Sequence, residues 1–553
     1  MTMKNIKVWA MIGMMTLALT ACVKDLDTEP IDKKSTTGFN QDALFTKIYS
    51  TLATTGQEGP AGSADIEGAD EGVSGFYRVM WELNEFPTDE GWWIWGDPGV
   101  DVARTMQWDG QNALVKMLYD RFIIVIKYCN LFLDRADDNK DQRAEVRFIR
   151  ALNYWYMLDM FYVAPFMEGN SNEYPEFRTR PQLYAWLETE LKDLTSQLPA
   201  TRIQLYRVDQ AAAWLLLSRL YLNAEVYTGE AKWADAQKAA DNALKCGYTL
   251  HTTSKTNKEG ITYTAYQQLF MGDNDINGAQ NEAVLLVYQD GNYCRTYCGS
   301  QFAIAATRDG GMVPWGCSAN WKCFRSSPQF VYKFVSQTAA DTIKADEYHM
   351  REYAKDDRAI LCSYVEGNPN TWKLSGGMAG DFYASWACPK FTDVYSTADS
   401  LAKPIGSDSE WADTDIPLMR IAEAHLTKAE AMFRQGDVSG AMNEINTSVR
   451  ARANAKPLES LDEMTLCDEW SREFWGEGRR RTDLIRFNRF AGDKADANAY
   501  HWEGRGNSNA FKQVEQKYNW FPIPSDDKNV NPNFKSQVVN AEGALPYGDG
   551  YEF

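Results

Sequence analysis

Two segments far apart in this chain repeat one design. Trp214-Leu-Leu-Leu-Ser-Arg-Leu-Tyr-Leu222 runs to a turn at Tyr227-Thr-Gly-Glu230, and Trp233, Ala236, Ala240, Ala243 and Leu244 form the apolar stripe that follows. Ile421 to Arg434 breaks at Gly436-Asp437, and Ala441, Ile445 and Val449 mark its partner. Apolar residues every three to four positions predict helices, and a glycine just past the stripe ends them. Small Ala faces let antiparallel helices pack closely, which is the pattern of tetratricopeptide-type hairpins. Two ordinary helix pairs are the plainer alternative. The expected fold class is mainly α, a tetratricopeptide-like helical-hairpin scaffold.

The same periodicity extends the scaffold. From Asn112 the pattern turns helical, and Ala144 to Asp159 places Phe148, Leu152, Trp155 and Leu158 on one face ahead of Pro165. Residues 56–111 and 250–410 differ: Gly, Asn, Asp, Ser, Cys and aromatics dominate and helical spacing is lost. These stretches predict a loop-rich lobe on a helical scaffold of about 112–249 and 411–490, and such loops are where ligand sites concentrate.

The N-terminus carries Lys4 and Lys7, an apolar run from Val8 to Ala21, and Leu19-Thr-Ala-Cys22. The run is shorter than the roughly 20 residues a membrane-spanning helix needs. Small residues before a cysteine mark a bacterial lipoprotein signal over residues 1–21, with Cys22 lipidated and 22–38 a polar tether. An ordinary secretory signal is the alternative.

A net charge of −19 on 553 residues argues against nucleic acid and anionic lipid as partners and favours a neutral ligand. Setting Cys22 aside leaves nine cysteines; Cys294/Cys298 and Cys317/Cys323 are close enough for disulfides, and neither spacing suits zinc. His251, His349, His425 and His501 are scattered and suggest no catalytic or metal cluster. Asp273-Asn-Asp-Ile-Asn-Gly278 resembles the start of a calcium loop, with Asp273, Asp275 and Asn277 as its oxygen donors. Val284 stands where an EF-hand needs its twelfth-position Glu, so a structural calcium and a metal-free acidic turn are both open.

Aromatics make up 13% of the chain, with 19 Trp. Trp92-Trp93-Ile94-Trp95 lies in a loop context; in extended backbone Trp93 and Trp95 would project to one side, roughly 6–7 Å apart. Paired indoles suit the C–H face of a pyranose while Asp, Arg and Asn take its rim hydroxyls. Burial in a core is the competing reading. Near the C-terminus Arg472, Glu473, Glu477, Arg479, Arg480, Arg481 and Asp483 suggest a structural salt-bridge lattice rather than a binding site.

Glu469 to Phe487 (EWSREFWGEGRRRTDLIRF) resembles the C-terminal signature of the SusD/RagB family, as do Phe521-Pro-Ile-Pro524 and the Arg- and aromatic-rich Ala144–Phe161. The resemblance covers the mature chain and implies one unit over 39–553. It implies an outer-membrane lipoprotein on the surface of Bacteroidetes-like cells, with no catalysis, no required cofactor, and a SusC-like TonB-dependent transporter as partner. Asp70–Arg78, Glu85–Glu90, Tyr297, Thr307–Met312 and Trp321 further resemble segments of a starch-binding member of that family. That likeness implies an aromatic arc of Trp93, Trp95, Tyr297 and Trp321, with Asp70 and Arg78 bonding sugar hydroxyls, for malto-oligosaccharides. Pro98 departs from it, standing where that member offers an asparagine amide; a proline side chain donates nothing, so one hydroxyl contact is lost unless Asp97 replaces it. Two readings from other classes compete. A surface glycoside hydrolase needs two carboxylates roughly 5–9.5 Å apart, which no segment nominates, and a pure protein-binding scaffold would use its indoles as interface anchors. The same fold binding a different glycan is a further alternative.

Overall fold

In a computed structural model of the chain the described residues are 39–534, apart from 172, 365–384, 400, 402–407 and 493–513. The leader, Cys22, the tether and His501 lie outside them. The chain divides into 1–44, of which 41–44 open a helix, and 45–553, which holds the rest of the architecture.

Helices dominate the larger unit, and each of the four sheets among the described residues has only two strands. The helices Ala113–Arg135, Lys140–Met160, Arg180–Gln197, Gln210–Leu222 and Trp233–Leu244 pack in series, each on the one before. Trp233–Leu244 then packs directly on Ala422–Arg434, which packs on Val438–Ile445. The two hairpins separated in sequence are therefore neighbours in one stack. Small residues make this possible, since Ala236, Ala239, Ala240 and Ala243 face Ala-rich neighbours and are all buried. Trp233 and Leu244, expected to point inward, are only half-buried. The turns close on Gly229 and Gly436, both in the left-handed region at φ 81° and 92°. Polar caps begin the helices: the Asn112 side chain accepts from the backbone N–H of Leu114 and Val115 at 3.0 and 3.1 Å. The face of Phe148, Leu152, Trp155 and Leu158 is buried as its spacing requires.

Residues 250–410 form the insertion between the two halves of the stack. A bulged antiparallel pair, Ala283–Val287 with Ile416–Arg420, joins its two flanks. A second pair, Gly91–Trp93 with Phe324–Ser326, ties the insertion to the earlier loop segment, matching Trp93 with Phe324.

None of the nine cysteines of the described residues is in a disulfide, so neither Cys294/Cys298 nor Cys317/Cys323 is bridged. Proximity in sequence did not decide the pairing, and the Cys294 and Cys298 thiols each face a backbone carbonyl instead. The Cys298 thiol donates to the Glu71 carbonyl at 2.8 Å, and the Cys294 thiol faces the Tyr288 carbonyl at 3.6 Å. Burial pushes the Cys298 thiol up to about 12, which keeps it protonated and inert.

The C-terminal signature is a buried ionic lattice. Arg420 bridges Glu282, Glu473 and Glu477, while Arg480 holds Asp89 through contacts of 2.7 and 3.1 Å. Arg481 reaches Asp159, and Arg486 pairs with Glu430 and Asp483. Its carboxylate partners come from the scaffold and the lobe alike, so the segment fastens one to the other. Phe521, of the second signature, donates its N–H to the Met160 carbonyl at 2.8 Å.

Candidate functional site

The strand pair Gly91–Trp93/Phe324–Ser326 brings together two loops that are far apart in sequence, and the site forms where they leave it. Ile94 N–H donates to the Cys323 carbonyl at 2.8 Å, after which the chain turns outward. Trp95 is 37% exposed, whereas Trp93 is 2% exposed. In the loop that leads into the opposite strand, Trp321 is set by its N–H donating to the Ala305 carbonyl at 2.6 Å, near the end of the helix Ser300–Thr307. Trp95 and Trp321 stack at 6.4 Å between centroids and 27° between planes.

Tyr297 continues the series, 5.9 Å and 43° from Trp321. It is positioned by its neighbours: Thr296 Oγ1 donates to Glu71 Oε1 at 3.1 Å, and Cys298 bonds the Glu71 carbonyl. Gly75 is what lets this loop approach the 56–75 segment, since a Cβ there would lie 2.1 Å from Cys298 Cβ. Trp411, 6% exposed, packs behind Tyr297 at 4.8 Å. Nothing in the sequence around Trp411 singled it out; only the return of the chain after residue 400 places it there.

Trp93 is the correction to the expected arc. Phe302 stacks on its indole at 5.8 Å and 29°, and Phe86 approaches at 4.8 Å. With aromatic neighbours on the ring and almost no exposure, it has no face to offer a ligand. The extended geometry that would align it with Trp95 ends at Trp93 itself, so the two indoles go to different layers. Phe302, 6.4 Å from Trp321, connects that buried layer to the exposed one.

Arg78, in the first turn of the helix Phe76–Glu85, reaches the rear of the same layer. Its guanidinium lies 4.7 Å from the Phe302 centroid and 5.7 Å from Trp321. Nε donates to Glu82 Oε1 at 2.9 Å, and Nη1 donates to the Gly72 carbonyl. Burial works against its charge, but Glu82 outweighs that and holds the group above its ordinary value. Asp70 is exposed, and with Arg78, Glu82, Asp97 and Pro98 it lines a hollow of about 480 Å³ beside the rings. Asp70 and Arg78 thus share one hollow, which Pro98 and Asp97 also line.

The acidic turn is a different matter. Asp273 is buried, accepting from Ser396 Oγ at 3.0 Å, Thr397 N–H at 2.8 Å and Asn277 Nδ2 at 3.1 Å. Asn277 turns an N–H donor toward the carboxylate where a cation would need an oxygen, and its own carbonyl oxygen takes the Ala279 N–H. Asp275, half-buried, is raised by burial and then by the nearby Asp273, Asp413 and Asp290 charges. Among the described residues no group of three His, Cys, Asp or Glu is arranged to hold a metal ion. Asp273 and Asn277 thus bond each other and their neighbours within the turn, with Asp275 half-buried beside them.

The model of the SusD family matches residues 318–540. The chain is 37% identical over 559 residues to the starch-binding protein SusD of Bacteroides thetaiotaomicron, covering 95% of this chain and 96% of that protein. A SusD-like protein from Bacteroides fragilis superposes with TM-score 0.65 at 16% identity, over 92% of this chain and 99% of its own. A laminarin-binding SusD-like protein superposes with TM-score 0.60 at 18% identity, over 88% and 96%.

Proposed function

Because this chain belongs to the SusD family, we propose that it is a non-catalytic, glycan-binding protein of the cell surface whose rings Trp95, Trp321 and Tyr297 capture starch-type α-1,4-glucans. The observation that carries this reading is the progressive tilt of the rings, 27° from Trp95 to Trp321 and 43° from Trp321 to Tyr297. Neighbouring rings that are not coplanar suit a curved chain of sugars better than a flat β-1,4-glucan. Each pyranose presents a C–H face to an indole or phenol ring, and its hydroxyls are left for Asp70 and Arg78. The 37%-identical relative is itself a starch-binding protein, which supports the same ligand class here.

In this reading residues 39–553 act as one unit, the lobe of 56–111 and 250–410 carrying the ligand and the helical stack carrying the lobe. Cys22 is the lipidated residue, its two or more acyl chains giving the stable anchoring that a single chain does not. Among the described residues no helix is long and apolar enough to cross a membrane. The protein then sits on the outer membrane, facing outward, and passes its glycan to a SusC-like TonB-dependent transporter. A ligand destined for release favours several modest stacking contacts over one tight pocket.

Pro98 motivates a second reading, in which the same rings bind another curved glucan whose hydroxyl pattern needs no amide at that position; a laminarin-binding protein shares this fold. Calorimetry with maltoheptaose, α-cyclodextrin and cellohexaose separates them. Heat from the first two alone, with no new reducing ends after prolonged incubation, is the expected result. Silence from all three overturns the α-glucan assignment, and accumulating reducing ends overturns the non-catalytic one.

A further inference from the structure

Resting on that reading, we propose that a cleft beside the arc is a second glycan subsite, taking the part of a long oligosaccharide that runs past Tyr297. The cleft has a volume of about 820 Å³, within the roughly 300–1,000 Å³ range of small-molecule sites. Tyr49, Tyr206, Tyr288, Tyr293 and Trp411 line it, together with Glu71, Asn292 and Arg295.

Three observations point to a ligand. The first is continuity. Trp411, mostly buried, lines the cleft and also packs behind Tyr297 at 4.8 Å, so the cleft adjoins the arc through a shared ring. Asp70 and Glu71, consecutive in sequence, line the 480 Å³ hollow and this cleft respectively.

The second is Tyr293, a ring that is 86% exposed. It does not sit on a loose segment, because Asp290 Oδ1 accepts the backbone N–H of Asn292 at 2.7 Å and of Tyr293 at 3.0 Å. A phenol held out from a pinned turn adds nothing to the core, and at the rim of a cavity it is placed to cover a ligand. Behind it Tyr288 and Tyr206 meet edge to face at 5.0 Å and 74°, giving the wall a fixed shape.

The third is Glu71. Its Oε1 accepts from Thr55 and Thr296, at 3.0 and 3.1 Å, while its Oε2 has no hydrogen-bond partner among the described residues. That oxygen is buried in the cleft wall, and a rotation of the side chain toward the cleft would let a sugar hydroxyl supply the missing donor. The charges fit a neutral ligand. Arg295, the cleft's guanidinium, already pairs with Asp408 at 2.7 Å, and Glu58 and Glu71 also line the cleft, which disfavours an anion.

The test compares the full chain with Tyr293→Ala, titrated with maltotetraose, maltoheptaose and short-chain amylose. Tyr293 is exposed, so the variant should fold normally. Maltotetraose is expected to bind both forms equally through the arc. Amylose should bind the parent more tightly than maltotetraose does, and Tyr293→Ala should lose roughly threefold to tenfold toward amylose alone, the scale of one aromatic contact. Deuterium uptake over residues 288–295 should slow with amylose and stay unchanged with maltotetraose. Equal amylose affinity in both proteins, with no protection of 288–295, overturns the subsite while leaving the arc intact. A parent chain that binds no maltotetraose instead overturns the α-glucan reading on which the subsite rests.

Discussion

Glu469→Gln is expected to cost the fold about 3 kcal/mol and to leave the glycan affinity of the folded protein unchanged. Glu469 is fully buried; Arg358 Nη1 donates to its Oε1 at 2.8 Å, and Nη1 of Arg450 and of Arg472 donate to its Oε2 at 2.7 and 2.9 Å. Burial by itself pushes this carboxyl up. Arg358, then Arg472 and Arg450, outweigh burial and hold it at about 2 against an ordinary 4.5. That depression corresponds to roughly 3 kcal/mol in favour of the charged form. Breaking a buried ionic cluster by removing one partner typically costs about 3–5 kcal/mol, so the two routes to the magnitude agree. At a melting entropy near 2.1 cal/mol/K per residue, a chain of this length should melt about 3 °C lower. The pH dependence follows from the sign. The folded value lies below the unfolded one, so the contribution is complete above pH 4.5 and is lost as pH falls toward about 2. The parent should therefore lose stability over that window more steeply than the variant. Scanning calorimetry across it, with a maltoheptaose titration of the folded variant at neutral pH, measures both effects. An unchanged melting temperature with lost affinity would refute the structural role and make the signature part of a binding site.

The buried and exposed indoles should separate cleanly. Trp95→Ala is expected to lower maltoheptaose affinity roughly fivefold or more with a stability change within about 0.5 kcal/mol. Trp93→Ala should cost about 3–5 kcal/mol of stability, read by denaturant unfolding, because it empties a packed layer; equal effects of the two substitutions on both readouts would contradict the layering. Pro98→Asn adds an amide at the edge of the hollow that Asp70 and Arg78 line. Calorimetry should show affinity for maltoheptaose rising by up to about tenfold, the value of one hydrogen bond, and no gain would mean that Asp97 or another group already serves that hydroxyl.

Much of the scaffold could be read from spacing alone. Helical periodicity depends on local geometry, so the face of Phe148, Leu152, Trp155 and Leu158 and the Ala stripes announced themselves. What spacing could not tell is that the hairpins flanking 250–410 stack directly on each other, since that contact is between residues far apart in the chain. The same holds for thiols. Cys294 and Cys298 are near in sequence, yet their partners are the carbonyls of Tyr288 and Glu71.

For the site, the sequence determined the cast: an indole-rich loop, an Arg and Asp beside it, a Tyr and a Trp in the later lobe, and a C-terminal lattice of alternating charge. Tertiary structure decided the roles. Trp93 and Trp95 are two residues apart, and one became core and the other surface because Phe302 and Phe86 pack on the first while the chain turns outward before the second. Trp411 joined the aromatic wall without any local signal. Residue type limits which chemistry a side chain can perform, but exposure is set by what the rest of the chain packs against it, and that is a property of the whole fold.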